Sequence, residues 1–424
     1  MVLLVASFLV LLLVGVPIFI SLAASSLLYT HFVSGIPDFV VLHRMAGGVD
    51  SFPLLAVPFF ILAGNLMNSA GITNRIYDFA VAAVGWLRGG LGHVNVVGSV
   101  IFAGMSGTAV ADAGGLGTIE IKAMRDHGYK VDFAVGITGA SSTIGPIIPP
   151  SLPMVVFGVM ANVSIGQLFV AGIVPGLLMA AFQMLYITWY ARRHGIGRDQ
   201  VFRWDVLGRT LVAAIPAMMT PVIIIGGMSF GIFTPTEAAI AACAWALILG
   251  VFLYRSLTWK RFYKISMDTI ETTAAVLIIV GAASLFGWVL TTTQITQAVT
   301  DALLSISRDP LVLLLIINVL LLIVGCFMET IAAISILVPV LMPVVLAAGI
   351  DPVQFGVVMV LNLMIGLLTP PVGMVLFVLS RIANISFDRT VRSILPFLIP
   401  LVLVLILISA FPWLTLAVPT YFYR

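Results

Sequence analysis

Charged residues are scarce in this sequence, and their scarcity excludes an ordinary soluble protein. Asp, Glu, Lys and Arg make up 9% of the 424 residues, whereas 61% are hydrophobic and the mean hydropathy is +1.20. Soluble domains carry roughly 25% charged residues because charge covers their water-facing surface. Most of the surface of this chain must therefore face lipid. Apolar runs of about 20 residues, long enough to cross a bilayer as helices, recur along the whole length.

The residues of several chemical sites are also lacking. The two cysteines lie in apolar stretches and suggest no disulfide framework. The five histidines are scattered and no His-Glu-x-x-His occurs, which argues against an intramembrane metalloenzyme. No ATP-binding motif is present, which argues against a primary pump. The net charge of +3 is too small to indicate nucleic-acid binding. The first apolar run, 2–28, lacks the basic n-region of a signal peptide, so we predict a membrane helix there.

The two halves of the chain share a pattern of motifs. Ile144-Gly145 and Pro149-Pro150 recur 221 positions later as Ile365-Gly366 and Pro370-Pro371. Further matches follow in the same order and at nearly the same spacing. This regularity favours an internal duplication over chance similarity between apolar segments that contain glycine and proline.

The pattern predicts an all-α integral membrane protein made of two inverted repeats. Repeat 1 covers 1–195, repeat 2 covers 234–424, and an unpartnered helix at 209–229 connects them. Each repeat has a re-entrant helical hairpin followed by a broken transmembrane helix. The hairpins are predicted at about 92–126 and 313–346, and the broken helices at 132–161 and 355–380. Other spanning helices are predicted at 2–28, 53–69, 167–191, 234–254, 268–289 and 394–415, with short segments at 74–88 and 295–306.

The placement of positive charge predicts the orientation. With a cytoplasmic N-terminus, seventeen of the 20 Lys and Arg residues fall on the cytoplasmic side, and the exceptions are Arg44, Arg308 and Arg424. The positive-inside rule favours this arrangement. Cations follow the first hairpin but not the second, so hairpin 1 is predicted to open to the cytoplasm and hairpin 2 to the periplasm.

Inverted repeats with broken helices are typical of secondary transporters, whose ion and substrate sites lie near the membrane midplane. A helix interrupted there leaves backbone carbonyls that can coordinate Na⁺ and N–H groups that favour anions. Ordinary helix packing is the alternative role for such small residues. We predict one Na⁺ site where each hairpin tip meets its own break: Ser106, Ser141 and Gly145 in repeat 1, and Gly325, Gly366 and Thr369 in repeat 2.

Substrate contacts are predicted at the same tips and breaks. Acidic residues inside a membrane protein are functional candidates, and Asp112 and Glu329 lie at the tips, whereas Glu237 fits an interfacial helix start. Because neither tip nor break contains Lys or Arg, an anionic substrate would be held by backbone dipoles, hydroxyls and bound Na⁺. No organic cofactor is expected. The predicted substrate contacts are Gly107, Thr108, Asp112, Ser142, Thr143, Glu329, Thr330, Asn362 and Pro370.

Three motifs, Phe102–Thr118, Ser141–Ser151 and Gly366–Gly373, resemble the large membrane subunit of TRAP (tripartite ATP-independent periplasmic) transporters, and the likeness covers essentially the whole chain. The resemblance implies Na⁺-coupled uptake of organic acids such as C4-dicarboxylates or sialic acid, across a bacterial or archaeal inner membrane. It also implies an elevator motion, a periplasmic substrate-binding protein and a small four-helix membrane subunit. Because the chain starts with the first helix of the large subunit, the small subunit is expected as a separate chain.

Two other transport classes stay open at this point. A channel would share the small residues but would not need paired hairpins. A stand-alone ion-coupled anion transporter of the same general fold would work without a binding protein. For the elevator, we predict that hairpins and broken helices move as one body. The spans predicted to stay fixed are 2–28, 167–191, 209–229, 234–254 and 394–415.

Overall fold

The computed structural model describes residues 2–69 and 72–423, without the side chains of Val2 and Ser106. The described part is helical and contains no β-strand, and eight of its helices are long and apolar enough to cross a membrane. Both hairpins and both broken helices are present, so the predicted fold class is confirmed.

The helices of the first repeat follow the predicted order, with an added boundary near residue 15 and an unpredicted helix at Phe39–Val49. Its first scaffold helices carry a π-helical turn at Thr30–Ser34 and a 3₁₀ turn at Phe52–Leu55. The helices are α1 Val2–Leu13, α2 Ile18–Tyr29, α3 Phe39–Val49, α4 Ala56–Ser69, α5 Ile72–Val84, α6 Gly90–Ser106, α7 Ala109–Gly114, α8 Leu116–Asp126, α9 Val131–Ser142, α10 Leu152–Ala161 and α11 Ile165–Arg193.

The second repeat has longer, less interrupted helices. Its helices are α12 Trp204–Ser229, α13 Pro235–Ile248 with the π-helical turn Leu249–Leu253, α14 Trp259–Thr292, α15 Ile295–Ile306, α16 Pro310–Phe327, α17 Thr330–Ala347, α18 Pro352–Gly366, α19 Met374–Ala383, α20 Phe387–Ala410 and α21 Trp413–Phe422. Hairpin 1 is thus α6 with α7–α8, and hairpin 2 is α16 with α17. The broken helices are α9–α10 and α18–α19.

The single helix predicted over 2–28 needs a correction, because the structure has two helices there. The chain turns between α1 and α2, where Gly15 adopts a φ of +87° and Pro17, which has no N–H to donate, precedes the first residue of α2. The two helices pack against each other. Each has 12 residues and is therefore only about 18 Å long.

This turn also changes the place of the helix predicted at 209–229 without a partner. In the structure α12 packs on α13 as α1 packs on α2, and α13 packs on α4 as α2 packs on α14. Helix α12 is therefore the counterpart of α1. The reversal between α1 and α2 adds one segment to the first repeat. The second repeat can therefore be inverted relative to the first without an extra connecting helix.

The helices divide into two packing groups. Helices α2, α3, α4, α12, α13 and α14 pack on one another and form the scaffold group. The hairpins, the broken helices, α11 and α20 form the hairpin group, because α20 packs on α9 and α18, and α11 packs on α18 and α20. The predicted fixed spans 167–191 and 394–415 thus lie with the hairpins. The two groups also pack directly on each other, α14 on α17 and α4 on α6, and α5 and α15 each contact both groups.

The segment that joins the two repeats is fastened to the base of hairpin 1. The N–H of Gly89 donates to Gly197 O (2.9 Å) and the N–H of Gln200 to Gly85 O (3.2 Å). Oδ2 of Asp199 accepts the N–H of Leu91 (2.9 Å), at the start of α6, and the hydroxyl of Tyr129 (2.5 Å), beyond α8. One carboxylate therefore ties together both ends of hairpin 1.

Candidate functional site between the two hairpin tips

Tip 1 is a short turn seated on break 1. Helix α6 ends at Ser106, Gly107 turns the chain with a φ of +61°, and Thr108 starts α7 by accepting the N–H of Ala111 on its hydroxyl (3.3 Å). A Cβ on Gly107 would lie 2.7 Å from the carbonyl oxygen of Pro150. Only glycine therefore fits this close approach of tip and break.

Backbone oxygens converge on Gly145 in break 1. A Cβ at Gly145 would lie 3.3 Å from Ser142 O, 3.7 Å from Thr108 O and 3.8 Å from Asp112 Oδ2. The hydroxyl of Ser141 is fully buried and donates to Asn95 Oδ1 (2.5 Å). Of the predicted Na⁺ ligands, Gly145 thus lies beside the tip, whereas the Ser141 hydroxyl is bonded to the first leg of hairpin 1, and the side chain of Ser106 is outside the described part.

Tip 2 and break 2 meet backbone to backbone. A Cβ at Gly366 would lie 2.6 Å from the carbonyl carbon of Gly325 and 2.9 Å from its oxygen. The N–H of Val372 donates to Cys326 O (3.2 Å), and the Thr369 hydroxyl donates to Ile365 O (2.6 Å). The three predicted Na⁺ ligands of repeat 2 thus lie on two backbone segments in contact.

A cavity of about 510 Å³ lies between the two tips and the scaffold group. Of the predicted substrate residues, Gly107, Thr108 and Glu329 line it. The Glu329 carboxylate is the N-cap of α17 and accepts the N–H groups of Ile331 (2.9 Å) and Ala332 (3.2 Å). Its orientation is thus fixed by the helix start.

The scaffold side of this central cavity carries polar residues that sequence reasoning missed. Asn65 and Asn68 of α4 and Thr272 of α14 line it. No Lys or Arg occurs among its described lining residues. The polar groups around a ligand there are therefore amides, hydroxyls, backbone groups and one carboxylate.

A smaller cavity of about 40 Å³ connects the two tips. It is lined by Thr108 and Pro146 from repeat 1 and by Glu329 and Thr330 from repeat 2, among others. The hydroxyl of Thr330 is buried and unpartnered. The two breaks and the two tips therefore meet in one region of the molecule.

Other predicted substrate residues lie away from the central cavity. The buried hydroxyls of Ser142 and Thr143 donate to Gly139 O (2.8 Å) and Ala140 O (2.6 Å) of their own helix. Three more are absent from the described cavity lining: Asp112, buried inside hairpin 1, Asn362, buried on α18, and the exposed Pro370.

An asparagine in the first leg of each hairpin holds the neighbouring broken helix. Asn95 donates to the hydroxyl of Thr138 (2.7 Å), and Asn362 donates to Asn318 Oδ1 (3.0 Å). Sequence reasoning missed Asn95 and Asn318. A single amide within each apolar leg is the signal that could have found them, because polar side chains in membrane helices commonly bond to a neighbouring helix.

Comparison with known proteins supports the resemblance seen in the motifs. Residues 5–414 match the family model described as tripartite ATP-independent periplasmic transporter, DctM component. The chain is 48% identical to the sialic acid TRAP transporter large permease protein SiaM of Vibrio cholerae, covering 97% of this chain and 96% of the relative. It is 40% identical to the 2,3-diketo-L-gulonate TRAP transporter large permease protein YiaN of Escherichia coli, covering 88% of each.

Two further relatives show the range of the family. The C4-dicarboxylate large permease protein DctM of Pseudomonas aeruginosa is 38% identical, covering 88% of this chain and 87% of the relative. The sialic acid permease protein SiaT of Haemophilus influenzae is 42% identical, covering 97% of this chain but only 67% of that longer protein.

A solved structure shares the fold. The crystal structure of the Alcanivorax borkumensis YdaH transporter matches with a TM-score of 0.66 at 13% identity, over 90% of this chain and 89% of the other. Relatives at much higher identity are permeases, so this chain is a multi-pass transporter and not an enzyme. The family model and these relatives together show that the chain belongs to the tripartite ATP-independent periplasmic transporters, as their DctM component, the large permease.

Proposed function

We propose that this large permease takes up an organic acid in symport with Na⁺. A periplasmic binding protein delivers the acid, and the small permease is a separate chain. The observation that carries the proposal is the central cavity, which both hairpin tips and the scaffold group enclose. A cavity with parts from both inverted repeats can be exposed to either side of the membrane in turn.

Na⁺ coupling is supported by the chemistry at the two breaks. Carbonyl oxygens and a carboxylate surround Gly145, and Gly366 lies against the backbone of Gly325. Hard cations such as Na⁺ prefer oxygen ligands, so these backbone segments suit them. Because each tip meets its own break, a bound ion would join them and complete the wall of the cavity.

An elevator motion is supported by the two packing groups. The hairpins and broken helices pack with α11 and α20 into one body, which meets the scaffold group through α5 and α15 and where α14 packs on α17 and α4 on α6. Such a body can move across the membrane, while the scaffold helices α4 and α14 stay in place. The two end states need to differ by only a few kcal/mol for ion and substrate binding to shift the population.

For the substrate, we propose a polyhydroxylated monocarboxylate of the sialic acid type in preference to a C4-dicarboxylate. The described lining of the central cavity has no cation to balance a second carboxylate, and Glu329 adds negative charge. Asn65, Asn68, Thr108 and Thr272 offer amides and hydroxyls that suit the hydroxyl groups of a sugar acid. The relative at 48% identity is a sialic acid permease.

Reconstitution in proteoliposomes tests each part of the proposal. The large permease, small permease and binding protein are combined, and uptake of labelled N-acetylneuraminate and of labelled succinate is measured under inward Na⁺ or K⁺ gradients. We expect saturable sugar-acid uptake that needs both Na⁺ and the binding protein. Equal uptake without the binding protein would favour a stand-alone transporter, uptake that never saturates would favour a channel, and preference for succinate would refute the substrate class.

Replacing Asn65 by alanine tests the cavity directly. The side chain lines the cavity and its amide donates to Thr269 Oγ1 (3.1 Å). We expect a higher sugar-acid concentration for half-maximal uptake, with unchanged Na⁺ dependence. Gln294, which begins α15 outside the cavity lining, supplies the control Gln294→Ala. An equal effect of both changes would contradict the cavity as the substrate site.

A further inference from the structure

Hairpin 1 contains a second group of buried polar side chains, apart from its tip. Ser99 on α6 is fully buried, and Asp112 on α7 and Glu120 on α8 are 1% and 2% exposed. Among the described residues, neither carboxylate oxygen of Glu120 has a hydrogen-bond partner, and the Ser99 hydroxyl has none other than Asp112. The Ser99 hydroxyl comes from the first leg of hairpin 1, and the two carboxylates come from the second leg.

Contacts with neighbouring positions relate these three side chains, and we call the group the polar column. A Cβ at Gly98 would lie 3.0 Å from Glu120 Oε1, so the absence of a side chain there makes room for the carboxylate. The neighbouring Ser99 hydroxyl faces Asp112. Asp112 in turn lies beside Gly145 of break 1. The column therefore runs from break 1 along the inside of the hairpin.

The charge in this column is not balanced by the protein. Two buried carboxylates without cationic partners are strongly unfavourable. Among the described groups near them, Tyr77 of α5 carries no positive charge, and the ring of His93 on α6 is turned to Thr188 of α11 (3.4 Å). The Na⁺ proposed at break 1 would balance Asp112. Glu120 is then either protonated or paired with a cation of its own.

Hairpin 2 has no such column. The offset of 221 that relates the two hairpins pairs Ser99 with Leu320, Asp112 with Ala333 and Glu120 with Leu341. All three polar positions become apolar. The polar column is therefore a property of the hairpin predicted to open to the cytoplasm and not a general requirement of the hairpin fold.

We infer that hairpin 1 holds an additional Na⁺ site, formed by Glu120 and Ser99 next to Asp112 and separate from the Na⁺ sites at the two breaks. The inference rests on the proposed Na⁺ coupling. Carboxylate and hydroxyl oxygens are suitable ligands for a hard cation. Because the site continues from break 1 along the hairpin, it offers an ion a position between the central cavity and the cytoplasm.

The test measures Na⁺ binding without transport. The purified complex of large and small permease is unfolded thermally in detergent, with Na⁺ replaced by choline at constant ionic strength. We compare wild type with Glu120→Gln, which keeps the shape and removes the charge, and with Thr118→Val on the same helix. Thr118 is exposed, and within the described part of the chain its hydroxyl bonds to Gly114 O of its own hairpin leg, which makes it the matched control.

The slope of the unfolding midpoint against the logarithm of Na⁺ concentration reports how many Na⁺ ions the folded complex binds. We expect Glu120→Gln to lower this slope by the amount that corresponds to one ion. In reconstituted uptake, the Na⁺ concentration for half-maximal rate should rise about tenfold, as for loss of a metal-site residue. Thr118→Val should leave both unchanged. If Glu120→Gln proves too unstable to purify, Ser99→Ala removes one neutral ligand and should give a smaller change in the same direction.

Three results would overturn the inference or its basis in distinguishable ways. A wild-type Na⁺ response in Glu120→Gln, or in Ser99→Ala where that variant is used, removes the additional site and leaves the proposed function standing. If the unfolding midpoint of Glu120→Gln loses a pH dependence but keeps its Na⁺ dependence, the group at Glu120 binds a proton, which refutes the Na⁺ site. A wild-type complex that does not respond to Na⁺ refutes the proposed coupling itself.

Discussion

Replacing Gly366 by alanine should separate tip 2 from break 2. The added Cβ would lie 2.6, 2.7 and 2.9 Å from the carbonyl carbon, Cα and oxygen of Gly325. Carbon atoms prefer about 3.5–4.0 Å, so α16 and α18 must part by about 0.8 Å, and backbone atoms cannot rotate away. Overpacking of this kind costs about 1–3 kcal/mol, whereas Gly→Ala in a helix otherwise gains about 0.5–1 kcal/mol. The net effect is therefore destabilising.

The measurement is the thermal unfolding midpoint in detergent, together with Na⁺-dependent uptake. Gly325→Ala should be milder, because its Cβ would lie 3.2 Å from Gly366 Cα. Gly226→Ala in α12 is the control, since nothing lies within 4 Å of the added Cβ. We expect the order of loss Gly366, then Gly325, with Gly226 unchanged or slightly stabilised. A wild-type midpoint and uptake in Gly366→Ala would refute the close contact and the reasoning built on it.

Four further predictions concern the ion site, the base of hairpin 1, the topology and the motion. Thr369→Val keeps the shape and removes one oxygen, so the Na⁺ dependence of uptake should weaken; an unchanged dependence removes Thr369 as a ligand. Burial, and then the Asp199 carboxylate, raise the pKa of Tyr129, which stays a neutral donor at physiological pH. Asp199→Ala and Tyr129→Phe should each lower the free energy of unfolding by about 1–3 kcal/mol, and the double variant should lose less than the sum; additive losses contradict a shared bond. Because the chain reverses between α1 and α2, the Val2 end of α1 lies on the same side as the end of α2, and no Lys or Arg precedes Arg44. We therefore expect the Val2 end on the periplasmic side, opposite to the sequence-based expectation; a cysteine replacing Ala6 that reacts with an impermeant maleimide only from the cytoplasm would contradict this. For the motion, a cysteine replacing Thr118 is paired in turn with a scaffold cysteine at each of two membrane depths. Both pairs should form a cross-link and block uptake, whereas a cross-link at one depth only would favour a local gate.

The hairpins and breaks could be predicted because their local chemistry is explicit. Gly107 ends a helix, Pro149 and Pro370 lie in the non-helical segments that follow α9 and α18, and the internal repeat doubles each observation. The turn between α1 and α2 was missed for the opposite reason. Its apolar run is continuous, and single glycine and proline residues such as Gly15 and Pro17 are tolerated within membrane helices. Only packing against α2 shows that the chain reverses there.

The candidate site was predicted in part for a similar reason. Contact between Gly325 and Gly366 follows from the repeat and from the need of backbones for small residues at close approach. The faces of the scaffold helices do not follow from sequence, because α4 and α14 are apolar on most sides. That Asn65 and Thr272 line the cavity, while Ser142 and Thr143 bond to their own helix, is set by tertiary packing alone.

In the scaffold group, helices of each repeat pack on helices of the other repeat, and this packing constrains how the protein originated. Helix α2 of the first repeat lies on α14 of the second, and α13 lies on α4, so neither repeat has its own complete scaffold. A gene for one repeat would therefore have encoded a subunit that folds only as a pair, with one copy inserted upright and the other upside down. Such a pair cannot have carried a strong positive-inside bias. On this reasoning, the unequal cations after the two hairpins would have arisen once duplication had given each copy a fixed orientation.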